Sequence, residues 1–158
     1  MTEPVDIVPL DLAAGGLAEE LVTLQRAAYH VEAELIGSDM LPVLHEGAEQ
    51  LRASGETFLG ARLAGRLVGA VSYKRLGDGT VDIHRLVVDP AAFRRGIASA
   101  LLDALDAAAP APRTIVATGA ANAPARALYE RRGFRPVREV VAGGGVRIVE
   151  MERVCAPA

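Results

Sequence analysis

The sequence has few of the features that mark secreted, membrane or metal-binding proteins. It has one cysteine, Cys155, so it cannot form an internal disulfide, and we interpret this thiol as incidental. No apolar run approaches the roughly 18 residues of a membrane helix, and the opening MTEPVDIVPL lacks the basic stretch and apolar core of a secretion signal. The three histidines form no cluster with metal-ligand spacing. We therefore expect a cytoplasmic protein without a metal and without membrane contact.

An excess of positive charge is also missing. The chain carries 17 basic and 20 acidic residues, a formal net charge of -3. Such a balance gives no general attraction to polyphosphate, so nucleic acid is not expected as a partner. At 158 residues and 51% hydrophobic content, the chain is long enough to bury a real core. We predict one domain spanning residues 1–158.

Hydrophobic periodicity and turn signals predict an α/β domain with a mixed sheet. Strands are predicted at 5–8, 57–63, 66–76, 81–88 and 114–118, and a closing hairpin follows with its turn at 143–145. Helices are predicted at 17–35, as one helix or two, and at 42–53, 97–108 and 122–134. Three strands thus run in sequence before the helix at 97, which argues against a doubly wound nucleotide fold.

The stretch FRRGIA at 93–98 places Gly96 at the N-terminus of a predicted helix. Such a terminus has unpaired backbone N–H groups and the positive end of the helix dipole, and glycine lets a ligand approach the main chain. This combination predicts a phosphate site. Taken alone, Arg94 and Arg95 would be ordinary solvated charges. The spacings typical of dinucleotide and triphosphate loops are absent from the sequence, so the anion is not identified by this turn.

The stretches LVVDPAAFRRGIASALL and NAPARALYERRGF follow each other along the chain, and together they resemble the two signatures of the GNAT superfamily of N-acetyltransferases. LVVDPAAFRRGIASALL resembles the family's acetyl-CoA signature, with Gly96 and Ala98 in its two small positions. NAPARALYERRGF resembles the second signature, from Asn122 through Tyr129 to Phe134. Phe93 departs from the pattern, because glutamine or arginine usually occupies its place. The resemblance covers most of residues 57–141.

This resemblance implies a GNAT-like, mostly antiparallel central sheet of about six or seven strands flanked by about four helices. It also implies acetyl-CoA as co-substrate. Family members bind the coenzyme pyrophosphate on the backbone N–H groups of the signature loop, and Asn122 would contact the coenzyme in addition to capping its helix. The loop maps to Arg94, Arg95, Gly96, Ile97, Ala98 and Ser99. The fourth strand of the family is bulged and splayed, so the main chain of Leu86, Val87 and Val88 would polarise the thioester carbonyl.

Acetyl transfer to an amine requires two proton movements, and the resemblance offers candidates for both. Tyr129 matches the family's usual acid, which protonates the departing thiolate. Asp82 and His84 alternate on the predicted fourth strand and so lie on one face, where relatives carry the base. The alternatives are that Tyr129 only packs and that Asp82 forms a structural salt bridge with Arg85 or another arginine. The choice between Asp82 and His84 is left open.

The acceptor is the least determined part of the prediction. The segment at 31–42 lines the acceptor side of the cleft in the family, so Glu32, Glu34 and Asp39 are candidates for attracting a cationic amine. The alternative is an acidic helix face in solvent. We predict an acetyl-CoA-dependent N-acetyltransferase acting on a primary amine of a small molecule or peptide; the other interpretation is a non-catalytic acyl-CoA-binding or sensing module. Acceptor identity, acyl length and a monomeric or homodimeric state are left open.

Overall fold

The computed structural model describes residues 5–36 and 46–155, except for the side chains of 32, 33, 35 and 36. The strands are β1 (Val5–Leu10), β2 (Thr57–Leu63), β3 (Arg66–Arg75), β4 (Val81–Val88), β5 (Arg113–Gly119), β6 (Arg135–Val141) and β7 (Arg147–Val154). The helices are α1 (Leu17–Ile36), α2 (Ala48–Arg52), α3 (Ile97–Ala108) and α4 (Ala123–Arg131). A short 3-10 turn, Pro90–Ala92, follows β4, and a second one, Gly143–Gly145, joins β6 to β7.

The seven strands form one sheet in the order β1-β2-β3-β4-β5-β7-β6. Every neighbouring pair is antiparallel except β4 and β5, which run parallel. The parallel pair is registered only over Val81–Ile83 and Thr114–Val116. Within these two described strands the remaining residues toward the carboxyl ends are not paired with each other. The sheet therefore opens into a V between β4 and β5.

A β-bulge at His84 changes which side chains of β4 face each side of the sheet. Ser72 of β3 pairs with Arg85 and Tyr73 pairs with Ile83, so His84 is the additional residue between them. Before the bulge, Val81 and Ile83 belong to the same core as α3. After it, Val87 belongs to the core under α1. The bulge therefore brings Arg85 to the α1 side of the sheet.

Two hydrophobic cores cover the two faces of the sheet. One contains Ile97, Leu101 and Leu105 of α3 together with residues of α4. The other contains Leu21 and Leu24 of α1 and Leu51 of α2. Helix α3 lies very close to β3, since a Cβ added at Gly69 would stand 2.9 Å from Ile97 Cγ2. Glycine at 69 therefore lets the helix that begins at the signature loop pack directly on the sheet.

The observed elements confirm the predicted fold class, with seven strands and four helices in the described residues. One predicted boundary was wrong: the helix expected at 42–53 begins at Ala48, and Pro42 lies outside the described residues. Gly47 precedes the first turn, and its backbone N–H donates to Gln50 Oε1 at 2.8 Å. Helix α1 is a single uninterrupted helix of 20 residues. None of the helices in the described parts of the chain is both long and apolar enough to cross a membrane.

Candidate active site

A cleft of about 870 Å³ occupies the V between β4 and β5. Its walls come from α1, from the loop before α3, and from the start and inner face of α4. Most of the residues singled out in the sequence line it: His84, Leu86, Val87, Val88, Arg94, Gly96, Ile97, Ala98, Ser99, Asn122 and Tyr129. Among the described candidates, Asp82, Arg95 and Glu34 do not line it. The fold thus joins the two sequence motifs at one cavity.

The loop before α3, residues 93–96, presents main chain to this cleft. Gly96 precedes the first turn of α3 at φ 72°, without a side-chain cap. A Cβ at Gly96 would meet no atom within 4 Å, so the approach to the helix N-terminus is open. Arg94 also has positive φ, 67°, a conformation that costs a non-glycine residue about 1 to 2 kcal/mol. The strained turn and the open helix end, which we call the anion cradle, together have the geometry that can bind an anion.

The second motif lies on the opposite wall of the cleft. Asn122 begins α4, and its Oδ1 accepts a hydrogen bond from the Ala125 N–H at 3.3 Å. Tyr129 is 4% exposed, and its ring meets the Phe134 ring edge-on with centroids 5.5 Å apart. Both Asn122 and Tyr129 are therefore fixed in place by their surroundings while they line the cleft.

The α1 side of the cleft carries a row of charged side chains. His84 Nε2 lies 3.2 Å from Asp82 Oδ2, so the two side chains share a face as predicted. His84 Nδ1 lies 3.8 Å from Glu56 Oε2. Of the arginines considered as structural partners of Asp82, Arg85 instead pairs with Glu46 and Glu56, and among the described ion pairs Asp82 contacts His84. The bulge turns Arg85 toward α1, where both of these carboxylates lie.

Arg85 is the centre of a buried set of side chains that we call the Arg85 cluster: Gln25, Glu46, Glu56, Ser72 and Arg85. Its Nε and Nη2 donate to the two oxygens of Glu56 at 2.7 and 3.0 Å. Its Nη1 and Nη2 donate to Glu46, and Nη1 also donates to Gln25 Oε1 at 2.9 Å. The Ser72 hydroxyl donates to Glu56 Oε1 at 2.6 Å. The cluster ties α1, β3, β4 and the segments before α2 and β2 together beside the cleft.

Burial and hydrogen bonding act in opposite directions on this cluster. Burial raises the pKa of the Glu56 carboxyl, but hydrogen bonds from Arg85 and Ser72 outweigh it, so the pKa lies below its ordinary value. For Arg85, burial lowers the pKa, but the bonds to Glu56 and Glu46 raise it above the ordinary value for arginine. Both groups are therefore charged at neutral pH. A buried charge of this kind is stable only while its oppositely charged partners are present.

The geometry can be compared with known proteins. The model of the family described as "Acetyltransferase (GNAT) family" matches residues 18–134, which include the cradle, β4 and α4. The chain belongs to the acetyltransferase (GNAT) family. This confirms the family predicted from the two motifs, and acetyl-CoA is the co-substrate associated with that family.

Solved GNAT structures share the fold at low sequence identity. The ribosomal-protein-S18-alanine N-acetyltransferase of Escherichia coli is 17% identical, with a TM-score of 0.77 over 98% of this chain and 96% of that chain. The PaiA N-acetyltransferase of Thermoplasma acidophilum, solved in complex with coenzyme A, is 18% identical, with a TM-score of 0.71 over 96% of this chain and 99% of that one. These likenesses confirm the fold of the GNAT domain.

A curated relative is closer in sequence. The UPF0157 protein YqkA of Bacillus subtilis is 39% identical over 131 residues, 82% of this chain. Those residues are 38% of the relative's own length. The present chain thus spans about two fifths of that protein.

Sequence reasoning missed the carboxylates of the Arg85 cluster. Glu56 and Glu46 stand beside turn glycines, where acidic residues are usually solvated, and nothing in the local pattern separates them from ordinary surface charges. The one available signal was Arg85 itself, a cation inside the apolar strand VDIHRLVV. An arginine in such a strand predicts buried acidic partners, although it does not say which ones.

Of the acidic residues predicted for the acceptor side, the structure describes the side chain of Glu34, which does not line the cleft. Glu34 lies on α1, and its side chain is exposed. Asp39 and the side chain of Glu32 lie outside the described residues. From α1, Ala28, Tyr29 and Val31 line the cleft instead. In the described parts of the chain, no group of three or more histidine, cysteine or acidic side chains could hold a metal ion.

Proposed function

We propose that this GNAT protein is an acetyl-CoA-dependent N-acetyltransferase that moves an acetyl group to a primary amine of a small molecule or peptide. The observation that carries the proposal is that the anion cradle, the open edge of β4, His84 and Tyr129 all line one cleft. In this proposal the cradle binds the coenzyme, the edge of β4 polarises the thioester carbonyl, and the side chains of His84 and Tyr129 transfer protons. A pure binding module would need only the first two.

The coenzyme would bind by its main-chain contacts. Its pyrophosphate would accept hydrogen bonds from the backbone N–H groups of Gly96, Ile97, Ala98 and neighbouring loop residues, with Arg94 adding charge-assisted contacts. Its pantetheine arm would lie along Leu86, Val87 and Val88, because β5 has separated from this part of β4. Asn122 would make a further contact from the start of α4. Arg95 does not line the cleft, so its proposed contact is limited to its main chain.

The proposed reaction is a direct attack of the amine on the thioester. The ammonium first loses a proton to the Asp82–His84 pair, and its nitrogen then forms a bond to the thioester carbon. The backbone N–H groups of the splayed strand stabilise the oxyanion that forms there. As the tetrahedral intermediate collapses, the carbon–sulfur bond breaks, the thiolate takes a proton from Tyr129, and the extra proton left on the nitrogen returns to the Tyr129 oxygen. The products are the acetylated amine and coenzyme A.

Within the pair, His84 is the better candidate for direct contact with the amine. Its side chain is about one-third exposed and lines the cleft, whereas Asp82 stands behind it at 3.2 Å. A histidine oriented by a carboxylate is a recurrent arrangement for accepting a proton. The attraction of a cationic acceptor by Glu32, Glu34 and Asp39 stays a prediction.

Release of free thiol tests the function. Purified protein is incubated with acetyl-CoA and a panel of amines, and coenzyme A is measured with a thiol reagent. The Tyr129→Phe variant keeps the ring and its contact with Phe134, so acetyl-CoA affinity should hold while kcat falls by roughly 10²- to 10⁴-fold. Tyr73→Phe is the matched control, because Tyr73 does not line the cleft.

Two results would refute parts of this proposal. Wild-type kcat in Tyr129→Phe would remove the acid role of the tyrosine, since packing alone would then explain its position. Tight acetyl-CoA binding without thiol release for any amine would favour the alternative, a non-catalytic acyl-CoA-binding or sensing module.

A further inference from the structure

Glu56 is a buried carboxylate next to the cleft that the proposed chemistry leaves without a role. Its side chain is 4% exposed and accepts hydrogen bonds from Arg85 and Ser72. The residue stands just before β2, 28 positions from His84 in the chain, but its Oε2 lies 3.8 Å from His84 Nδ1. The fold thus places a fixed negative charge beside a histidine on the wall of the cleft.

The two ring nitrogens of His84 face two different carboxylates. Nε2 is 3.2 Å from Asp82 Oδ2, and Nδ1 is 3.8 Å from Glu56 Oε2. The distance to Asp82 is within hydrogen-bond range and the distance to Glu56 is not, so Nδ1 is the nitrogen free to take a proton, and Glu56 acts on the ring through its charge. Asp82 is half-buried, whereas Glu56 is fixed by Arg85 and Ser72. Glu56 is therefore the more rigid of the two partners.

We propose that Glu56 is a positioning residue for His84: it fixes the ring in the cleft and stabilises the ring after it has taken the proton of the acceptor amine. This role rests on the proposed function, because it assumes that His84 moves a proton. Glu56 itself would not touch the substrate. Its carboxylate acts through the imidazole, as the orienting acid does behind other catalytic histidines.

Glu46 provides a matched control within the same cluster. Glu46 and Glu56 each accept two hydrogen bonds from the Arg85 guanidinium. Of these two glutamates, only Glu56 also approaches a ring nitrogen of His84 among the ion pairs of the described residues. Glu46→Gln and Glu56→Gln therefore remove the same kind of charge from Arg85. Only the second change alters the surroundings of the imidazole.

The first measurement needs no activity. The chain has three histidines, so the ring nitrogens of His84 can be assigned by NMR on protein with ¹⁵N-labelled histidine. We expect Glu56→Gln to change the ¹⁵N shifts of His84 and their pH dependence, and Glu46→Gln to leave both at wild-type values. Ser72→Ala keeps both charges and removes one hydrogen bond to Glu56, so it should produce a smaller change and remains informative if Glu56→Gln fails to fold.

The second measurement is kinetic. Glu56→Gln should lower kcat by less than the roughly 10²- to 10⁴-fold that general base catalysis contributes, because the base itself remains, while KM for acetyl-CoA is unchanged. The charged groups around the imidazole are Asp82, Glu56 and the neighbouring Arg85. Because one negative charge is removed, the acidic limb of the pH profile should move to lower pH. Glu46→Gln should keep the wild-type profile.

The two measurements separate this proposal from the proposed function. Unchanged His84 shifts in both Glu56→Gln and Ser72→Ala would overturn the positioning role, whether or not the protein acetylates an amine. Equal effects of Glu56→Gln and Glu46→Gln would also overturn it, because both would then act through Arg85 alone. If the His84 shifts depend on Glu56 but no acetyl transfer is found, the proposed function is refuted and the interaction between Glu56 and His84 is supported.

Discussion

The two sides of the cleft are built in different ways. The proposed coenzyme side is main chain: a left-handed turn at Gly96, the first turn of α3 and the unpaired edge of β4. Behind the α1 side lies a set of interlocked charges around Arg85, drawn from α1, the segments before α2 and β2, and two strands, of which Arg85 itself lines the cleft. The main-chain side depends on backbone conformation, and the charged set depends on contacts among five side chains.

The difference determines which substitutions each side can tolerate. A backbone cradle accepts many side chains, which explains how Phe93 can stand where glutamine or arginine is usual. The Arg85 cluster tolerates few substitutions, because loss of one member leaves a buried charge without its partner. We therefore expect substitutions on the α1 side to affect folding, and substitutions in the cradle to affect chiefly coenzyme binding.

Arg85→Met should have the largest effect on stability. It leaves Glu46 and the buried Glu56 without their cation, and breaking a buried pair in this way costs about 3 to 5 kcal/mol. The free energy of unfolding from urea titration measures the loss. The triple variant with Glu46→Gln and Glu56→Gln should recover much of it. A loss below about 1 kcal/mol would mean that the cluster behaves like a surface ion pair.

Gly96→Glu should have the largest effect on the coenzyme side. It introduces a negative charge where the pyrophosphate is proposed to bind, so acetyl-CoA affinity should fall by about 3 kcal/mol, or roughly 100-fold. Isothermal calorimetry measures the affinity. Gly96→Ala is the control, since it adds the same strain at φ 72° without charge and should bind acetyl-CoA more tightly than the glutamate variant. Unchanged affinity in folded Gly96→Glu would contradict the location of the site.

Acid should weaken the Arg85 cluster specifically. The pKa of Glu56 in the folded protein lies below its ordinary value of 4.5, because its hydrogen bonds outweigh its burial. A carboxyl of lowered pKa stabilises the fold above its unfolded pKa, and that contribution is lost as pH falls through the folded pKa. In urea titrations below about pH 4.5, wild type should therefore lose stability more steeply than Glu56→Gln. Parallel curves would show that Glu56 is not linked to folding.

Arg94→Gly should have the smallest effect, with opposite signs for folding and binding. Relief of the left-handed conformation at φ 67° should raise the free energy of unfolding by about 1 kcal/mol. Loss of the guanidinium should weaken acetyl-CoA binding. Arg94→Ala separates the two effects, because it removes the same charge but keeps a Cβ at positive φ. If the alanine variant is as stable as the glycine variant, backbone strain at this turn is negligible.

Much of the fold could be predicted because its signals are local. Glycine and proline mark the ends of α3 and α4, and Asn122 caps α4 as expected. The hairpin turn at Ala64 and Gly65 is confirmed by positive φ at both residues. The predicted start of α2 was wrong. Proline is compatible with the first turn of a helix, so Pro42 suggested a start there, but the helix begins at Ala48. Which residue ends up capping is settled by the surrounding packing.

The family and the fold class could be predicted from the sequence, since these depend on the order and spacing of residues along the chain, and the same spacing predicts the cradle. The Arg85 cluster was decided only by the tertiary structure. Its members come from positions 25, 46, 56, 72 and 85, and they meet because a bulge at His84 shifts the alternation of β4 and turns Arg85 toward α1. A charged side chain gives no local sign of its partner, because the attraction depends on distance in space and on burial.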